Sequence, residues 1–133
     1  MSDGHVYWDA ASALERLGGD EGLFREIVQI FLHEAPKHLA GLRQALAQKD
    51  KDSVERIAHT LKGELSYLGV SGAAYHASKL EDAGQNGDFE CAASIRMSLE
   101  KDVEGLLQNM RRALLEKTSS LSPIEPTGAR SNG

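Results

Sequence analysis

Apolar residues recur along this chain at three- and four-residue steps, interrupted by short stretches rich in glycine, aspartate and asparagine. That period belongs to helices buried along one face, because positions i, i+3, i+4 and i+7 share a side of an α-helix. The spacing predicts a short helix from about Asp9 to Leu17, with Asp9 as N-cap and Gly18-Gly19 as its end. Asp20 then caps a longer helix whose core positions are Leu23, Phe24, Ile27, Ile30, Phe31, Leu39, Leu42 and Leu46, with a kink expected at Pro36. A third helix, from Asp52 or Ser53 to Gly69, gathers Val54, Ile57, Ala58, Leu61, Leu65 and Leu68 on one stripe. The fourth, from about Ser71 to Ala83, buries Ala73, Ala77 and Leu80 and exposes Tyr75 or His76. The fifth starts near Asp88 and carries Ala92, Ile95, Leu99, Val103, Leu106, Met110 and Leu114. Short connections between long amphipathic helices make neighbours antiparallel. The expected fold is therefore all-α: an antiparallel up-down four-helix bundle with a short additional N-terminal helix. Residues 1–117 form that bundle, and 118–133, rich in Ser, Pro, Thr and Gly, read as a disordered C-terminal tail.

Within the third helix, His59 points away from the core. At about 100° per residue, the apolar stripe is centred roughly 200° from it, on the opposite side. Arg56, Lys62, Gly63 and Ser66, three, four or seven residues away, share its face. A lone exposed histidine is ordinarily just solvated. Here, however, a mid-helix glycine, which costs roughly 1 kcal/mol against alanine, clears space one turn after the imidazole. Lys62 supplies a compact cation that can neutralise an anion on the ring. Together these residues describe a histidine able to carry a phosphoryl group.

Composition narrows the alternatives. A chain of 133 residues suits one domain. Its formal net charge of -5 argues against a nucleic-acid partner, whose phosphates need a basic patch. The single cysteine, Cys91, allows no internal disulfide and suits a reducing cytoplasm, in a core or flanking position. No apolar run approaches the roughly 20 residues that span a bilayer, and no signal-peptide core opens the chain, so no direct membrane contact is expected. No glycine-rich phosphate loop occurs, so a phosphoryl group must come from another protein rather than from ATP.

The segment His59-Thr60-Leu61-Lys62-Gly63, followed by Leu68-Gly69, closely resembles the core motif of histidine-containing phosphotransfer (HPt) domains. The likeness extends to Ala13–Asp20, to Phe31–Pro36 and Leu42–Leu46 of the long helix, to Leu80-Glu81, and to Asn86–Phe89, covering about residues 9 to 115. One position departs from it. The residue after Gly63 is commonly small in that family, whereas here it is Glu64, about 140° from His59 around the helix. The resemblance implies a phosphoryl carrier without kinase activity of its own. His59 would accept from a receiver-domain phosphoaspartate and pass the group to a second receiver's aspartate. Lys62 and Gly63 would assist, with Glu55, Arg56, Glu64 and Ser66 in the binding surface. No cofactor is expected on this chain, since the receiver would bring Mg2+ and its own lysine. The implied partners are receiver domains of response regulators or of a hybrid sensor kinase, met by a monomer through a convex face on the second and third helices. The chain could be freestanding or a domain of a membrane-bound hybrid kinase.

Two rivals share the bundle. An adaptor whose histidine is never phosphorylated would need neither Lys62 nor Gly63. The dimerising histidine domain of a sensor kinase typically follows its histidine with an acidic residue and later a proline, and here Thr60 follows and that helix has no proline. Other motifs fare worse. Gly18-Gly19-Asp20-Glu21 matches a cyclic-dinucleotide cyclase signature, but between helices rather than on a hairpin. His33 and His38 stand roughly 140° apart on a helix, too far round to share a metal, and neither His5 nor His76 has a partner at ligand spacing.

Overall fold

A computed structural model of the chain describes residues 8–121, with side chains as far as residue 115. Five helices follow in order: α1 (Ala10–Arg16), α2 (Glu21–Ala47), α3 (Lys51–Tyr67), α4 (Ser71–Gln85) and α5 (Phe89–Leu121). The first three starts are set by aspartate. Asp9 accepts from the Ser12 amide, Asp20 from Leu23, and Asp50 from Ser53, each satisfying an amide with no partner inside the helix. The cap of α3 is thus Asp50, two residues before the start expected from sequence. α2 continues through Pro36, whose missing N–H leaves the Leu32 carbonyl without its intrahelical donor. α5 extends to Leu121, beyond the boundary expected at Lys117, because nothing before Pro123 interrupts helical hydrogen bonding. The rest of the expected tail, residues 122–133, lies outside the described residues, as does His5.

Helices α2, α3, α4 and α5 pack in a ring, each against the next and α5 back on α2, so the fold is the all-helical bundle that periodicity indicated. Its centre is Phe24, Leu42, Leu61, Leu65, Leu80, Leu99, Leu106 and Met110. The expected core of α3 is buried throughout. On α2 the expectation fails at Leu23 and Ile30, which are exposed, while Val28 and Ala35 are buried instead. The apolar pattern of α2 is wider than the stripe its neighbours cover. Of the core or flanking positions expected for Cys91, its exposure excludes the core.

Two close approaches fix how α3 sits in the bundle. α4 faces its neighbours with Ala73, Ala74, Ala77, Ala83 and Gly84, so α3 comes very near it. A Cβ at Gly84 would stand 2.9 Å from Val54 Cγ1, leaving no room for a side chain. The turn after α3 needs Gly69 at φ +80°, and a Cβ there would meet the Arg16 guanidinium. Trp8 closes this end by stacking on Phe24, ring centroids 6.0 Å apart, and donating to the Leu68 carbonyl at 3.0 Å. A single charged residue is buried in the described core: Glu100 on α5, held between Arg43 and Arg96.

Candidate functional site

α3 turns His59 outward because its opposite stripe is committed to the core. Val54, Ala58, Leu61 and Leu65 are fully buried, while 67% of the His59 side chain is exposed. The ring's partner comes from α4. Glu81 places Oε2 2.9 Å from His59 Nδ1 and Oε1 2.8 Å from Lys62 Nζ, so one carboxylate bridges the imidazole and the ammonium. The bond from Lys62, and after it the bond from His59, hold the Glu81 carboxyl below the usual carboxylate value against the opposing effect of burial. An ionised carboxylate can only accept, so Nδ1 carries the hydrogen and donates it. In the neutral form of this exposed ring, Nε2 then keeps the lone pair.

The helix face beside the ring is open at Gly63. A Cβ built on Gly63 would meet nothing within 4 Å. Glu55, Arg56, Thr60, Asp52 and Glu81 line a shallow cleft with His59. Arg56 reaches back toward Ser53 Oγ at 3.4 Å, leaving Lys62 as the cation tied to the ring's partner. Ser66 is exposed two turns further along the same face. Glu64 is separate from this group. It turns toward α2, where its Oε2 lies 3.9 Å from His38 Nε2, and it lines an apolar pocket with Ile27, Ile30, Phe31, Tyr67 and Leu68. Burial pushes its carboxyl above the usual value, with His38 opposing and Glu34 adding to the rise.

Sequence reasoning missed Glu81 as a site residue. Leu80-Glu81 stood in the stretch carrying the resemblance, but only the packing of α3 on α4 brings it to His59. The other histidines are spread out: His33 lies beside Glu34, and His76 Nδ1 lies 2.6 Å from Asp102 Oδ2. Among the described residues no cluster of three or more His, Cys, Asp or Glu side chains is placed to hold a metal ion. Nor is any described helix long and apolar enough to cross a membrane.

The family model of the Hpt domain matches residues 26–113, which include His59, Lys62, Gly63 and Glu81. The chain belongs to the Hpt family. Its fold is similar to the crystal structure of the HPT domain from an Hpt sensor hybrid histidine kinase of Shewanella. That match has a TM-score of 0.66 at 20% identity, covering 86% of this chain and 96% of the other. No curated protein matches. As an Hpt domain the chain has a general role in histidine phosphotransfer within two-component phosphorelays, where such domains interact with receiver domains.

Proposed function

We propose that His59 is the phosphoacceptor, that Nε2 is the reacting nitrogen, and that the chain shuttles a phosphoryl group between receiver aspartates. The observation that carries this reading is the bridging Glu81 carboxylate, which engages Nδ1 and leaves Nε2 free on an exposed ring. In the forward step the Nε2 lone pair attacks the phosphorus of a receiver's acyl phosphate. The P–N bond forms as the P–O bond to the aspartyl oxygen breaks, and the aspartate leaves as a carboxylate. The ring is left with positive charge shared with Nδ1–H, which Glu81 stabilises through its hydrogen bond. Passage to a second receiver is the reverse, with that receiver's carboxylate oxygen as nucleophile and neutral imidazole as leaving group. Lys62 lies one turn away, where an ammonium offsets the charge of the transferring phosphoryl group. Magnesium, in this scheme, resides on the receiver.

The test is labelling from an isotopically phosphorylated receiver and, separately, from ATP. The wild-type chain takes label from the receiver and none from ATP, and the label is acid-labile and maps to His59. His59→Gln takes none while keeping its helical circular dichroism, with stability changed by less than about 1 kcal/mol, as for other exposed substitutions. Label retained in the variant, or none in the wild type, refutes the assignment.

A further inference from the structure

The apolar residues that α2 leaves uncovered lie beside an acid. Ile30 and Tyr67 are each 55% exposed, and they flank the pocket that Glu64 lines between α2 and α3. Tyr67 follows His59 by eight residues, which places it about 12 Å along α3 and roughly 80° around it, near enough for one docked domain to cover both. Glu64 Oε1 is buried from solvent and has no hydrogen-bond partner among the described residues. Its other oxygen has only the long approach to His38. A buried acceptor left unmatched is costly, and a donor from outside would relieve that cost. Glu34 brings a second carboxylate near that of Glu64, with His38 as the opposing group. With 35% of its side chain still exposed at the apolar pocket, Glu64 can turn its carboxyl to meet the tip of a lysine or arginine, whose aliphatic stem packs against Ile30 and Tyr67.

We infer that Glu64 is a specificity-determining residue, accepting a basic side chain that a receiver inserts between Ile30 and Tyr67 when it docks. This rests on the phosphotransfer role proposed for His59 and adds the chemistry of the preferred partner. It also gives a role to the residue that departs from the small side chain common at this position.

The experiment uses the full chain and a panel of purified receiver domains, each charged with labelled acetyl phosphate. The panel is divided by whether a lysine or arginine, other than the receiver's own active-site lysine, stands on its docking face outside the phosphorylation site. Wild type is expected to accept label faster from the basic-faced receivers. In Glu64→Gln, which keeps the shape and removes the charge, kcat/KM for that group should fall about tenfold through KM, the effect of losing one charge-assisted hydrogen bond. Neutral-faced receivers should change by less than about twofold, so the preference collapses. Glu64→Lys should invert it, and a receiver with its contacting lysine changed to glutamate should regain transfer with Glu64→Lys alone. Thermal melts of each variant separate folding loss from docking loss. An unchanged ratio between the two groups in Glu64→Gln, or no preference in wild type, overturns the role of Glu64 while leaving His59 in place. Absence of label in wild type from every receiver overturns both.

Discussion

Two histidines in this bundle are held in nearly the same way, and only one of them is the proposed phosphoacceptor. His59 and His76 each place Nδ1 against a carboxylate on the following helix, Glu81 at 2.9 Å and Asp102 at 2.6 Å. Each also has a lysine three residues on, Lys62 and Lys79. A carboxylate-oriented imidazole with a nearby cation is therefore not enough to mark a phosphoryl site. What differs is the next residue and where the lysine goes. After Lys62 comes Gly63, with open space above it; after Lys79 comes Leu80, fully buried, which turns that part of α4 into the core. Lys62 shares the carboxylate of His59, whereas Lys79 lies over the Tyr75 ring at 5.7 Å from its centroid. His76 keeps only 37% of its side chain exposed, against 67% for His59. The first arrangement gathers an exposed imidazole, a cation and open space at one point; the second clasps α4 to α5.

The largest effect is expected at the carboxylate that His59 and Lys62 share. Glu81→Gln replaces an acceptor-only carboxylate with an amide that no longer fixes the hydrogen on Nδ1. Transfer to His59 should slow by about ten- to a hundredfold, the range expected for a lost charge-assisted hydrogen bond. A 15N spectrum of the His59 ring should show the Nε2–H tautomer appearing, a change that a purely structural role would not produce. Rates within about twofold of wild type would mean that Glu81 only packs there. Its ion pair also fixes a pH dependence. Because the folded carboxyl titrates below its unfolded value, the associated stability is fully present above about pH 4.3 and is lost as pH falls through the lower folded value. Glu81→Gln should flatten that acid limb of a denaturation curve.

Gly63 tests access. Gly63→Leu should slow transfer by roughly tenfold by holding the receiver away from Nε2, since small displacements of reacting groups are costly. Gly63→Ala meets no neighbour and should raise thermal stability by up to about 1 kcal/mol while transferring nearly as wild type. Equal rates for the leucine variant would show that the glycine clears nothing.

Lys62→Ala should have a milder effect, slowing transfer by only a fewfold, because the receiver supplies its own cations in the proposed scheme. In the same variant a 13C titration of Glu81 should move its pKa upward, since the bond from Lys62 is the first cause of its depression. If neither quantity moves, Lys62 is a solvated residue and the contrast with Lys79 loses its meaning.

The smallest effect belongs to the other pair. Asp102→Asn should leave phosphotransfer from a labelled receiver unchanged and lower stability by about 1 kcal/mol or less, as for a partly exposed ion pair. A loss of transfer there would make the two histidines functionally coupled and erase the distinction between them.

Much of this was legible in the residues themselves. The aspartate caps, the glycine turns and the apolar stripe of α3 are local features, set by backbone hydrogen bonding and by a period of 3.6 residues. His59 faces outward because Val54, Ala58, Leu61 and Leu65 must face inward, and that follows from spacing alone. The clearance at Gly63 followed for the same reason. Periodicity failed on α2, where Leu23 and Ile30 fit the helical pattern yet stand exposed, since a one-dimensional pattern does not say how wide a stripe the neighbouring helices cover. It also could not find Glu81. That carboxylate is 22 residues from His59, and it arrives there only because small residues on α4 let α3 approach until Gly84 meets Val54. Residue spacing alone fixed which histidine of α3 is offered to solvent. Tertiary packing decided which of its nitrogens is free, because only a group brought from another helix can hold the proton on the other one.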